Sequence, residues 1–208
     1  MPIDWEKLTK EQPALGAVPG VLRDGARQRA FDKGEVLYRC GQAPEGMLCV
    51  LSGEIRLVRH AAGGNEIVLQ RSRGGFIAEA SLDTQIYHCD IVGATDGQLL
   101  LFPRAAFQAA LESDPAFNRA WILLLAREVR RLRAQSERLS LNRAADRILH
   151  YIESEGSDGA IILNQSLKSW AAELGLTHEV LYRTLRHLRE GGMLMIDGDR
   201  IVLSGRKI

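Results

Sequence analysis

Cysteine is scarce. Three occur in 208 residues, Cys40, Cys49 and Cys89, and none stands at CxxC or other metal-ligand spacing. An odd count without a disulfide framework points to a reducing compartment, the cytoplasm. Long apolar runs are absent: none approaches the roughly 18 residues that a membrane span needs. The opening MPIDWEKLTK also lacks the basic-then-apolar pattern of a signal peptide. A soluble cytoplasmic protein with no membrane partner is therefore expected. Histidine pairs are absent too: none of His60, His88, His150, His178 and His187 stands two residues from another. A cupin-type metal enzyme, the one enzyme reading a small β-barrel invites, needs a His-x-His pair, so no catalytic residue and no metal ligand is expected. Excess charge is missing as well. The formal net charge is +1, which excludes a bulk polycation and leaves nucleic-acid binding to local basic patches.

What is present is organised around residues 163–203. Leu167, Trp170, Ala171 and Leu174 recur at helical spacing behind Ser166, a side chain suited to capping free N–H groups. Gly175 breaks the pattern. Thr177 is a second N-cap candidate, and Val180, Leu181, Thr184, Leu185 and Leu188 line the buried face of a second helix that stops at Gly191-Gly192. The opposite face carries His178, Glu179, Tyr182, Arg183 and Arg186. Met193, Leu194 and Ile196 lead to a turn at Asp197-Gly198, and Ile201, Val202 and Leu203 resume the alternation, as in a β wing. Helix, glycine turn, polar-faced helix and wing is the order that places a helix in a DNA major groove. Arg183, Arg186 and Arg189, with Arg127, Arg130, Arg131 and Arg133 upstream, supply local positive charge. The competing readings are an ordinary helical hairpin on a small sheet, or a ligand-binding module whose helix-turn-helix serves protein contact.

The run LKSWAAELGLTHEVLYRTLRHLREGGML resembles the winged helix-turn-helix of the CRP/FNR superfamily of bacterial transcription regulators. The likeness lies in the glycine before the turn, the Thr-x-Glu opening of the second helix, and the arginine four residues after that glutamate. It extends upstream. FDKGEVLYRCGQAPEGMLCVLSGEIRLVR resembles the superfamily's cyclic-nucleotide-binding β-roll, with Gly34, Gly41, Gly46 and Gly53 at its turns.

The chain in order agrees. Residues 1–30 read as a loose lead, in which Trp5 and Leu8 start a short helix. Strands follow at Val36–Tyr38, from Met47 to Val58 with a break at Ser52-Gly53, at Ile67–Leu69 after a Gly63-Gly64-Asn65 turn, at Ile91-Val92 and at Leu99–Phe102. A short helix from Pro103 to Leu111 precedes a long one from Asp114-Pro115 to about Leu141. Its residues Ile122, Leu125, Val129, Leu132, Ser136 and Leu139 are spaced 3, 4, 3, 4, 3, a heptad seam with one polar member. Trp121 and Leu124 widen the seam where it should pack on the β-roll. Periodicity leaves open whether the seam lies on its own domain or on a partner; the resemblance implies a parallel coiled coil in a homodimer. The expected fold is α+β: an effector-sensing, jelly-roll-like β-roll (1–113), a long dimerisation helix (114–141) and a winged helix-turn-helix (142–208).

For function, the resemblance implies a homodimeric, sequence-specific regulator of transcription that reads a palindromic site, with double-stranded DNA, a second copy of itself and RNA polymerase as partners. The positions held here by His178, Glu179 and Arg183 read bases in the superfamily. Arg183 offers a fork of donors to guanine, Glu179 an acceptor for cytosine and a brace for Arg183, and Arg186 and Thr177 suit phosphate. Tyr182 shares that face. Arginine is common where His178 stands, so the operator is expected to differ. An effector is implied at the β-roll, where FIAEASLDTQIYHCDIVGA matches the cyclic-nucleotide segment. Glu79 and Ala80 are in place, but Ala78 replaces a glycine. His88-Cys89 stands where an arginine and a small residue hold the cyclic phosphate, and a neutral histidine is a poor substitute for a permanent cation. Cyclic AMP is thereby disfavoured as the ligand, and no cofactor is assigned. Gln135 and Ser136 fall where base contacts are made. A cyclic-nucleotide, haem or redox sensor with its ligand at Glu79, His88 and Cys89 stays as the alternative; a His-Cys pair on a strand would face opposite ways and bind one ion poorly. The superfamily's iron–sulfur branch uses cysteines near the N-terminus, and residues 1–39 contain none.

Overall fold

The computed structural model describes residues 3–60, 64 and 66–204. The chain divides into two compact units, residues 1–124 and 125–208.

In the first unit, α1 (Trp5–Glu11) and α2 (Gly20–Asp24) precede eight strands: β1 (Arg27–Phe31), β2 (Val36–Tyr38), β3 (Gly46–Ser52), β4 (Ile55–His60), β5 (Glu66–Ser72), β6 (Gly75–Ile77), β7 (Asp90–Gly93) and β8 (Gly97–Pro103). They form two antiparallel sheets, ordered β1-β8-β3-β6 and β2-β7-β4-β5. The core takes Phe31, Leu48, Val50, Ile77 and Leu99 from the first sheet, and Tyr38, Ile55, Leu57 and Ile91 from the second. This is the expected roll.

Two elements escaped the pattern. Segment 27–31, read as part of a loose lead, is a strand paired to β8 from Arg27↔Leu101 to Phe31↔Gly97. Only Phe31 of its five residues is buried, so no alternation betrays it. The three-residue β6 pairs with β3 from Leu48↔Ile77 to Val50↔Gly75. The hairpin expected between β4 and β5 is present, with His60 opposite Glu66. Of its turn, Gly63 and Asn65 lie outside the described residues.

Helix α3 (Arg104–Ser113) and the start of α4 (Pro115–Ser140) close this unit. The Asp114 carboxylate accepts from the N–H groups of Ala116 and Phe117, both at 3.0 Å, and caps α4 ahead of a proline that needs no partner. Trp121 meets the rings of Phe76 and Phe107 edge-on at 5.1 and 5.0 Å. Each such buried ring contributes about 2 kcal/mol from its area, which is why α4 begins against the roll.

The second unit holds the rest of α4, then α5 (Ala144–Glu155), β9 (Ala160–Ile162), α6 (Leu167–Glu173), α7 (His178–Glu190), β10 (Leu194–Asp197) and β11 (Arg200–Leu203). Its sheet order is β10-β11-β9. Ile148, Ile152, Trp170, Leu174, Leu181 and Leu188 are among the residues of its core, all 0% exposed. The wing turn falls one residue later than expected: Asp197 pairs with Arg200, leaving Gly198 and Asp199 as the loop.

Along α4, Ile122 is 58% exposed, Val129 46%, Leu132 45% and Leu139 43%. Ser136 is exposed as well, and Leu125 is half-buried. No helix among the described residues is long and apolar enough to cross a membrane.

Candidate nucleic-acid interface and effector corner

Helix α7 is set by local chemistry. The Ser166 hydroxyl oxygen accepts from the Ser169 N–H at 3.2 Å and starts α6. After α6 the chain turns through Gly175, whose φ of +65° favours a residue without a Cβ. The Leu176 N–H closes the turn on the Ala171 carbonyl at 2.8 Å. The Thr177 hydroxyl oxygen then accepts from Val180 N–H at 3.2 Å, so both expected caps form.

Helix α7 buries Leu181, Leu185 and Leu188 and exposes His178, Glu179, Tyr182, Arg183 and Arg186. The expected face is therefore assembled. Among the described residues Arg183 has no ion-pair partner, and its fork points to solvent. The expected brace from Glu179 is not made: both side chains extend outward, and an exposed pair gains too little to order them. Arg186 reaches Glu190 at 3.5 Å with both groups more than half exposed, a contact of little weight. Of the upstream arginines, Arg127, Arg130 and Arg133 are exposed. Arg131 is held by Glu128 through two bonds of 2.9 and 2.6 Å, so its charge is matched within the helix.

Two arginines that sequence reasoning passed over fix this unit. Arg147 donates to the carbonyls of Leu141 at 2.8 Å, Leu174 at 3.1 Å, Gly175 at 3.2 Å and Leu139 at 3.4 Å. It thereby ties the end of α4 to the turn ahead of α7. Arg138 is 0% exposed and pairs with Glu155 at 2.7 Å. Nothing in the local pattern separates these two from solvated arginines.

The effector corner belongs to the first unit. Ala78 adopts φ +65°, the left-handed conformation that a glycine holds more easily, and leads into a short 3-10 turn, Glu79–Ser81. Glu79 is half-buried and Ala80 exposed. His88 and Cys89 do not lie on a strand, as expected, but in a bend just before β7. His88 is half-buried and Cys89 2% exposed, its thiol pushed up by burial. The cation at this corner is Arg59, whose Nε donates to the His88 carbonyl at 2.7 Å and so braces the bend. Inside, Tyr87 is 0% exposed and lies 5.1 Å from the ring of Tyr38. The Tyr38 hydroxyl donates to Glu45 at 3.1 Å, and burial, then the Glu45 charge, push the phenol up to about 12. Tyr38 and Glu45 also line a hollow of about 390 Å³ with Arg29, Leu37, Gln42 and Ala43, and no arginine stands at positions 88 and 89. Positions 88 and 89 thus supply no permanent cation for a cyclic phosphate. Gln135 and Ser136 lie on α4 within the second unit, the first half-buried and the second exposed.

Comparison with known proteins places these features. Residues 28–114 match the family model of the cyclic nucleotide-binding domain. The chain is 27% identical over 173 residues to a cyclic AMP receptor protein of Thermus thermophilus, covering 82% of this chain and 80% of that one. Among solved structures, FixK2 from Bradyrhizobium japonicum superposes with a TM-score of 0.65 at 22% identity, over 87% of this chain and 93% of that one. A transcriptional regulator of the CRP family from Thermus thermophilus gives 0.53 at 22% identity, over 84% and 91%. At these identities the structures establish a shared fold.

Proposed function

We propose that this chain, which has the fold and the N-terminal domain type of the CRP/FNR superfamily, is a transcription regulator of that type. It works as a homodimer and reads a palindromic DNA site with one reading helix per major groove. The observation that carries the proposal is α7: capped at Thr177, seated on Leu181, Leu185 and Leu188, and presenting His178, Glu179, Tyr182, Arg183 and Arg186. Arg183, His178 and Glu179 meet base edges; Arg186, Tyr182 and Thr177 meet the backbone. The effector-sensing part comprises residues 1–113, the dimerisation helix 114–141 and the DNA-binding part 142–208.

The dimer reading is supported by the ridge Ile122, Leu125, Val129, Leu132, Ser136 and Leu139, exposed except at half-buried Leu125, which a second copy would cover as a coiled coil. RNA polymerase is the further protein partner, the cytoplasm is the setting, and the chain carries out no catalysis.

One relative is called a cyclic AMP receptor, and that favours a second reading with a nucleotide, haem or redox signal at Glu79, His88 and Cys89. The missing arginine at positions 88 and 89 weighs against the nucleotide form.

Selection from random DNA duplexes with the full chain tests the proposal. Enrichment of a two-fold symmetric sequence with arms about one helical turn apart, bound by two chains and weakened steeply by salt, is expected. Failure to enrich any duplex overturns it.

A further inference from the structure

We propose that the cleft between the reading helix and the wing binds a small carboxylic acid with an apolar body, and that filling it weakens DNA binding. This rests on the regulator reading above and adds a control point within the reading head itself.

Helix α7, the hairpin β10–β11 and the segment before α6 enclose a cleft of about 340 Å³, within the size range of small-molecule sites. Its floor is apolar: Leu163, Leu185, Ile196 and Ile201. Three of these are 8%, 6% and 2% exposed and belong to the core of the unit, so the floor is stiff. Tyr182 forms one wall and is 61% exposed, which leaves its ring able to lie against an apolar guest.

The rim is positive. Arg186 and Arg189 line it, with Asp199 as the one carboxylate among the lining residues, so two arginines stand against one aspartate. Arg189 has no ion pair among the described residues, and Arg186 is held only by the exposed Glu190 at 3.5 Å. An arginine beside an apolar hollow suits a carboxylate, which it can take with two parallel bonds, while the rest of the molecule covers leucine and isoleucine. A bare phosphate would instead lose hydration against that floor and gain nothing there.

The consequence for DNA follows from position. Arg186 and Tyr182 belong to the face assigned to the DNA backbone. An acid in the cleft occupies the arginine and sets a negative charge beside the path of the phosphates. The cleft lies on the reading head itself, so a guest there acts on the DNA-facing side chains directly, whatever the β-roll binds.

The test uses the full chain on its selected duplex, with octanoate and phenylacetate as probes and inorganic phosphate at matched ionic strength as the control. Either acid should weaken DNA affinity by about tenfold at saturation and shift the methyl resonances of Ile196 and Ile201, and phosphate should do neither. Ile196→Trp, which fills the cleft, should keep DNA binding and lose the response; Leu167→Phe serves if that variant does not fold. The proposal is overturned if neither acid moves the methyl signals, or if the response survives both fillings. It is equally overturned if phosphate matches the acids, which would assign the cleft to a backbone phosphate of the duplex. A chain that binds no duplex fails the regulator reading; one that binds its duplex and ignores the acids fails only this inference.

Discussion

Arg138 lays its guanidinium over the ring of Tyr151, 4.5 Å from the centroid, while the same group pairs with Glu155 at 2.7 Å. Removing this buried arginine leaves the Glu155 carboxylate, the Tyr151 ring and the Ser154 hydroxyl, which accepts from it at 3.4 Å, without their shared partner. Arg138→Ala should destabilise the second unit by about 3 kcal/mol. Hydrogen exchange in α5 would show this as faster opening, with β3 and β8 of the first unit unchanged.

Arg183 and Arg186 should separate base reading from phosphate attraction. Arg183→Ala should lower affinity for the selected duplex by roughly tenfold to a hundredfold, corresponding to about 1–3 kcal/mol, and relax preference at one base pair. Arg186→Ala should weaken selected and unrelated duplexes alike and reduce the salt slope by about one. Fluorescence anisotropy over a salt series reads both.

The ridge on α4 can be spoiled without touching the cores. Val129 is 46% exposed, so Val129→Glu costs the single chain little. In a coiled coil the same change buries two like charges across the seam. Sedimentation should show a monomer, and affinity for the palindromic duplex should fall by at least about a hundredfold through the loss of linked binding.

At Gly175 a side chain would be tight against its neighbours and strained in its backbone. A Cβ there would meet Arg147 Nη1 and Leu139 Cδ2, each at 3.0 Å, on a residue with φ +65°. Gly175→Ala should cost about 1–2 kcal/mol in strain and push on the guanidinium that holds the turn. Weaker DNA binding with an unchanged β-roll, read by anisotropy and by near-ultraviolet circular dichroism, is the expected outcome.

The thiols should differ in reactivity. Burial pushes Cys49 up to about 12, so at pH 8 almost none of it is thiolate. Cys40 is exposed. Brief treatment with iodoacetamide should label Cys40 and spare Cys49 and Cys89 until the chain is unfolded, as peptide mass spectrometry would show.

Much of the reading helix could be found in the sequence because its determinants are local. Ser166 and Thr177 act on N–H groups three residues ahead, and the buried leucines recur at helical spacing. Strand β1 stayed hidden because its partner lies some seventy residues away and only Phe31 turns inward. Arg147 was unreadable for a related reason. Its acceptors are backbone carbonyls 6 to 28 residues distant, and a carbonyl has no signature in the amino-acid code. The bend at His88 and Cys89 eluded prediction because two apolar neighbours, Tyr87 and Ile91, gave it the look of a strand.

The Arg147 fastening leaves the joint after α4 without slack, since one side chain grips carbonyls on both sides of it. In the dimer proposed above, the angle of each reading helix against its own long helix is then held by a side chain rather than left to the loop.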